Sequence, residues 1–124
     1  MPKHILLVDD EPNILLPLEF LMKNAGYQVR IARNGNEALM KLDQYVPNIM
    51  LLDVSMPPGQ NGFEICEIVR GREDCKDLRI IMLSAESRDI DKEKGMALGA
   101  DEFVSKPFST RTLLTCVESL IGAA

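Results

Sequence analysis

Five side chains in this 124-residue sequence could do chemistry, and each follows directly on a short apolar run. Asp9 and Asp10 follow ILLV (5–8), Asp53 follows IMLL (49–52), Ser84 follows IIML (80–83), and Lys106 follows EFVS (102–105) with Pro107 after it. Two carboxylates about 4 Å apart repel by ~4 kcal/mol at an effective dielectric near 20, so a cluster of acids persists only beside cations. Lys106 supplies one positive charge. The remaining excess of acidic oxygen ligands suits a hard divalent ion, and Mg²⁺ is the natural choice. A carboxylate can itself be a nucleophile and form an aspartyl-phosphate. Phosphoryl transfer of that kind needs a metal, a cation and a hydroxyl donor around the equatorial oxygens. Asp53 as nucleophile, with Mg²⁺, Lys106 and Ser84 around it, fills those roles. Taken singly, each residue has a plainer reading: Asp and Ser after a strand often cap the next helix, and a loop lysine is usually solvated. The joint set is what points to chemistry.

Such a set must be gathered by the elements that carry it. The apolar runs have strand length and lie between turn residues. Their unbroken apolarity predicts strands covered on both faces, as in a parallel sheet. YQVRIA (27–32) alternates Val29 and Ile31 with Gln28 and Arg30, which suits one edge, and the short EFVS (102–105) suits the other. Helical spacing predicts five helices between the strands. The first covers 13–25, with Ile14, Leu15, Leu18, Leu21, Met22 and Ala25 inward and Gly26 as its stop. Pro17 predicts a bend or a later start there. The second covers 36–45, with Ala38, Leu39 and Leu42 inward. The third covers 62–70, with Asn61 as N-cap, Ile65, Ile68 and Val69 as its stripe, and Gly71 as stop. The fourth, 88–98, has the thinnest stripe, Ile90, Ala97 and Leu98, and Gly95 weakens it by up to ~1 kcal/mol against alanine. The last starts at the cap Ser109 and turns Leu113, Leu114, Val117, Leu120 and Ile121 inward before Gly122. Five strands alternating with five helices give a single doubly wound α/β domain over 1–124. Ligands bind such folds at the carboxyl ends of the strands, where all five candidate residues fall.

Composition narrows the function further. Apolar residues are 46% and charged residues 27%, the balance of a globular chain. A net charge of −5 argues against direct nucleic-acid binding through phosphates. His4 is the sole histidine, which speaks against a histidine-based catalytic or zinc site. Cys66, Cys75 and Cys116 have no metal-ligand spacing and read as reduced thiols of a cytoplasmic protein. No run approaches the ~20 apolar residues of a membrane span.

The segments ILLVDDE, LLDVSMP, IIMLSA and GADEFVSKPF, in this order and spacing, resemble the receiver domain of two-component response regulators over essentially the whole length. The resemblance implies a flavodoxin-like sheet of order 2-1-3-4-5. It implies Asp53 as phosphoacceptor, charged by a histidine kinase or histidine phosphotransfer protein. It implies Mg²⁺ held by Asp10 directly, Asp9 through water, Asp53, and the backbone carbonyl of Ser55. Ser84 and Lys106 would bind the phosphoryl oxygens, Phe103 would be the switch aromatic, and Lys106–Pro107 a cis peptide. Phosphorylation would then alter the face built from 88–121, which an unknown output protein or effector domain would read. The sequence departs from the family in MPPGQNG (56–62), one residue longer than usual, and in Asn61 where Asp is common. Phe103 lacks a hydroxyl, so its inward and outward states would differ by packing alone.

Rival readings are weaker. A Mg²⁺-dependent phosphatase with an aspartate nucleophile resembles DxDx[TV] after the first strand, whereas the nucleophile here follows the third. A flavin-binding flavodoxin would need a hydroxyl-rich phosphate loop after strand one. A phosphorylation-silent interaction domain would lack part of the site, and nothing is missing. The expected role is therefore a signalling module with no external-substrate enzyme activity.

Overall fold

The computed structural model describes residues 2–56, 61–85 and 88–124. Strands β1 (His4–Val8), β2 (Gln28–Ala32), β3 (Ile49–Asp53), β4 (Arg79–Ser84) and β5 (Glu102–Ser105) alternate with helices α1 (Pro12–Asn24), α2 (Gly35–Gln44), α3 (Gly62–Arg70), α4 (Asp89–Ala97) and α5 (Thr110–Ile121). The strands form one sheet of order β2-β1-β3-β4-β5, all pairs parallel. β1, β3 and β4, the unbroken apolar runs, are the interior strands, and the alternating β2 and short β5 are the edges, as expected. Successive side chains of a strand point to opposite faces, so each interior run feeds two cores. Leu6, Met50, Leu52, Ile80 and Met82 pack toward α2 and α3, while Ile5, Leu7, Ile49, Leu51 and Leu83 pack toward α1 and α5.

Three helices differ from the pattern expected of them. α1 does not start late: it begins at Pro12, where a missing N–H costs nothing, and runs on through Pro17. Pro17 cannot bond the carbonyl four residues back, that of Asn13. Both residues are exposed, so water can take the bond. In α3, Ile68 is 48% exposed, and Phe63, Ile65, Cys66 and Val69 turn inward instead. At ~100° per residue, Ile68 lies about 120° from the centre of the stripe set by Gly62, Ile65, Cys66 and Val69. In α4 the expected stripe fails more completely. Ile90 and Ala97 are exposed, Leu98 is half-buried beyond the helix end, and the buried residue is Gly95.

The helix ends agree with the sequence more closely. Asn61 accepts from Glu64 N at 3.0 Å, and the Glu64 carboxylate accepts from Asn61 N at 3.2 Å, a full capping box. The Ser109 hydroxyl accepts from Thr112 N at 3.3 Å to cap α5. Of the longer segment 56–62, residues 57–60 lie outside those described.

Candidate functional site

β1 and β3 sit side by side at the centre of the sheet, so the residues that end them must meet. Asp53 is the last residue of β3, and Asp9 follows β1 directly. Asp9, Asp10 and Asp53 each offer a carboxylate oxygen lying within 4.8 Å of the others. Asp53 is 0% exposed, Asp9 is buried with it, and Asp10 faces solvent. Neither buried acid caps a helix. Asp9 accepts from Glu11 N at 3.0 Å, a local turn, and the N-cap of α1 is Glu11, which makes no side-chain cap. The plainer reading of these acids as caps is therefore not what the geometry shows.

Lys106 arrives from the end of β5 and joins the two buried acids. Its Nζ lies 3.2 Å from Asp9 Oδ2 and 3.2 Å from Asp53 Oδ1. The Lys106–Pro107 peptide bond is cis. Burial opposes the charge of Lys106. The carboxylates of Asp53 and Asp9 outweigh that cost and hold its ammonium above the ordinary value. Burial pushes the Asp9 carboxyl above its ordinary value; the Glu11 amide opposes this, the Asp53 charge reinforces it, and Lys106 opposes it. The cluster thus sets three carboxylates against one ammonium. The excess is two formal negative charges, which a divalent cation would neutralise.

The two oxygens of Asp53 are treated differently. Oδ1 accepts from Lys106 Nζ, from Ser55 N at 3.2 Å and from Ser55 Oγ at 3.0 Å. Oδ2 is buried and, among the described residues, has no hydrogen-bond partner. A buried carboxylate oxygen left without a donor costs of order 1–3 kcal/mol, more when charged. It is therefore the atom on which a metal or a reaction would act. This orphaned oxygen, with the donor set of three carboxylates, fits a hard metal ion.

Ser84 ends β4, is buried, and continues the Ile80–Met82 face of that strand. Phe103 pairs with Met82 in register and shares that face; it is 8% exposed. The structure therefore brings Asp9, Asp10, Asp53 and Lys106 into contact. It sets Ser84 at the same edge of the sheet and Phe103 two residues back from that edge.

Two contributions were not foreseen from sequence. One is the pair of donors from Ser55, expected only to offer a carbonyl. The signal was present, since a Ser two residues after an Asp can close a turn on it. The other is Gly62. A Cβ there would lie 2.5 Å from Asp53 O and 2.8 Å from Val54 Cα, so only glycine lets α3 begin against the segment that carries the site.

With this geometry in hand, comparison with known proteins is informative. The response regulator receiver domain model matches residues 5–118. A putative response regulator from Chloroflexus aurantiacus is 34% identical, with 98% of each chain covered and a TM-score of 0.90. The chemotaxis protein CheY4 of Vibrio cholerae is 33% identical over 97% of this chain and 99% of its own, with a TM-score of 0.90. A beryllofluoride-activated receiver domain, DrrB, is 32% identical over 97% of each chain, with a TM-score of 0.86.

Proposed function

Because the chain belongs to the response regulator receiver domain family, we propose that it is the phosphoacceptor module of a two-component phosphorelay, with Asp53 as the acceptor. The observation that carries this reading is the asymmetry of Asp53. Lys106 and Ser55 hold Oδ1, while Oδ2 is buried and unpartnered among the described residues. In the transfer, a carboxylate oxygen of Asp53 forms a bond to phosphorus. The bond from phosphorus to the donor's imidazole nitrogen breaks, and that nitrogen keeps the electron pair. Lys106 balances charge on the transferred group, and the Ser84 hydroxyl is the donor to one of its oxygens. Asp9, Asp10, Asp53 and the Ser55 carbonyl would hold Mg²⁺, which supplies charge neutralisation for the phosphoryl oxygens when bound.

The partner is a histidine kinase or a histidine phosphotransfer protein. A cleft of about 170 Å³ runs from Lys106 between α1 and α5, lined by Ile14, Pro17, Leu18, Pro107 and Phe108. Leu16 and Phe20 stand exposed on α1. An apolar helix carrying the donor histidine fits that surface. The module acts within the cytoplasm as a single receiver unit over 1–124, turning over no substrate but its own phosphoryl group. Among the described residues no helix is long and apolar enough to cross a membrane.

The test is intact-mass analysis after incubation with acetyl phosphate. One phosphoryl group per chain is expected with Mg²⁺, and none when the metal is chelated. Equal labelling in both conditions would remove the metal from the proposal.

A further inference from the structure

α3 and α4 are consecutive helices on the same side of the sheet, and they are held in different ways. α3 buries Phe63, Ile65, Cys66 and Val69 and closes with a capping box. α4 starts at Arg88 without a side-chain cap, and among the described residues Gly95 is the one it buries. Glycine is a poor residue for a helix interior, so its presence at the one buried position needs a reason. A Cβ on Gly95 would lie 2.8 Å from Met82 Sδ and 3.0 Å from Phe103 Cδ2. The Met82 sulfur ends a flexible side chain and can move aside, whereas the Phe103 ring would have to give by a few tenths of an ångström, so the missing side chain is what lets α4 rest directly on that ring.

The two ends of α4 are also unlike. After its C-terminus, Gly99 O accepts from Arg70 Nε at 2.8 Å, and Asp101 takes Arg70 Nη2 at 3.0 Å and Ile80 N at 2.8 Å. The N-terminal half carries Asp89, Asp91 and an exposed Ile90, and it leads back to Ser84. The helix is thus pinned just past its C-terminus, bears on a ring through its last turn, and is joined along the chain to the candidate site at its other end.

We propose that Gly95 is a positioning residue: the space it leaves seats the Phe103 ring against α4, and the place of that ring sets the place of the N-terminal half of the helix. The link to Asp53 rests on the phosphoacceptor reading. Ser84 and Phe103 share one face of the β4–β5 pair, so a change at Ser84 reaches the ring first and α4 second.

Gly95→Ala in the full chain tests this. If Gly95 were an ordinary helix glycine, alanine would raise the urea midpoint. The expected result is a lower midpoint, with at least half of the loss recovered when Phe103→Leu is added to make room. Amide NMR shifts with Mg²⁺ and beryllofluoride supply the second readout. Shift changes across 89–97 should fall below half of those in the wild type, while those flanking Asp53 persist. A raised midpoint overturns the proposal, as does a loss that Phe103→Leu does not recover. An unchanged response at 89–97 reduces Gly95 to packing alone and overturns the positioning role. Should Gly95→Ala not fold, the same comparisons are made in the Phe103→Leu background. If the wild type itself shows no change around Asp53, the phosphoacceptor reading fails, while the midpoint and its recovery still decide whether Gly95 seats the ring.

Discussion

Two of the molecule's clusters of acid and base lie at opposite ends of the parallel strands. At the amino end, Arg70 donates to Gly99 O at 2.8 Å, Leu78 O at 2.6 Å, Cys75 O at 3.3 Å and Asp101 at 3.0 Å. Asp101 is held in turn by Ile80 N and Arg79. The cluster's one carboxylate faces two guanidinium groups, and its bonds tie the end of α3 to the segments that lead into β4 and β5. At the carboxyl end, Lys106 joins two members of a three-carboxylate cluster, Asp9 is pushed above its ordinary pKa chiefly by burial, and Asp53 Oδ2 has no partner among the described residues. Both clusters set basic side chains against aspartates. The difference is satisfaction: the first is complete within the chain, and the second is short of positive charge. Structural networks close on themselves, whereas a site that must receive something is left open.

The largest effect should come from the open cluster. Asp53→Asn keeps the shape of the side chain and removes its nucleophilic oxygen pair. No phosphoryl adduct is expected by intact mass under conditions that label the wild type. Equal labelling of both proteins would move the acceptor elsewhere and erase the functional half of the contrast.

Next is the closed cluster. Arg70→Ala would take the side-chain donor from Gly99 O and Leu78 O and one of three partners from Asp101, at a cost of about 3 kcal/mol. The expected outcome is a clearly lower urea midpoint with metal affinity at the Asp10 end unchanged. A variant as stable as the wild type would show that the amino-end network is ornamental. One that also lost metal binding would show the two ends to be coupled.

How much of this was legible in the sequence follows from the same contrast. β1, β3 and β4 could be read because burial on both faces needs unbroken apolar runs, and the candidate site residues could be picked out because they stand at the ends of such runs. The edge placement of β2 followed from its alternating Val29 and Ile31. The Arg70–Asp101 network was not legible, because an arginine at a helix end and an aspartate before a strand look like ordinary surface charges. Only the fold brings residues 31 positions apart into a 3.0 Å bond. α4 was misread for a related reason. Apolar spacing assumes that helices are held by large side chains, and this one rests through Gly95. Ile68 failed because Phe63 and Cys66 swing the buried face of α3 to one side and leave Ile68 beyond its edge.

A smaller effect tests the charge imbalance itself. Asp10 is the exposed member of the acidic trio, so Asp10→Asn relieves repulsion without opening a cavity. Without metal, the variant should melt slightly higher than the wild type, by ~2 °C. With Mg²⁺ the order should reverse, because affinity falls by at least about tenfold, roughly 1.4 kcal/mol. Melting curves with and without Mg²⁺ check both signs. A metal-free variant that melts lower would mean that Asp10 makes a stabilising contact and that the cluster is less strained than its charges imply.

The smallest effect concerns Ser55, which makes part of the open cluster resemble the closed one. Its amide and hydroxyl both donate to Asp53 Oδ1, alongside Lys106. Removing the hydroxyl in Ser55→Ala leaves two donors on that oxygen, so the carboxylate should stay in place. A single hydrogen bond of this kind is worth about 0.5–1.5 kcal/mol net. The rate of labelling by acetyl phosphate should therefore change by no more than about tenfold, and the adduct should still form. If the hydroxyl serves to hold Asp53 at rest, raising the concentration of donor recovers full labelling. A variant that stays unlabelled at any donor concentration would make Ser55 part of the reaction itself. The line between a satisfied oxygen that positions and an unsatisfied one that reacts would then have to be redrawn within Asp53.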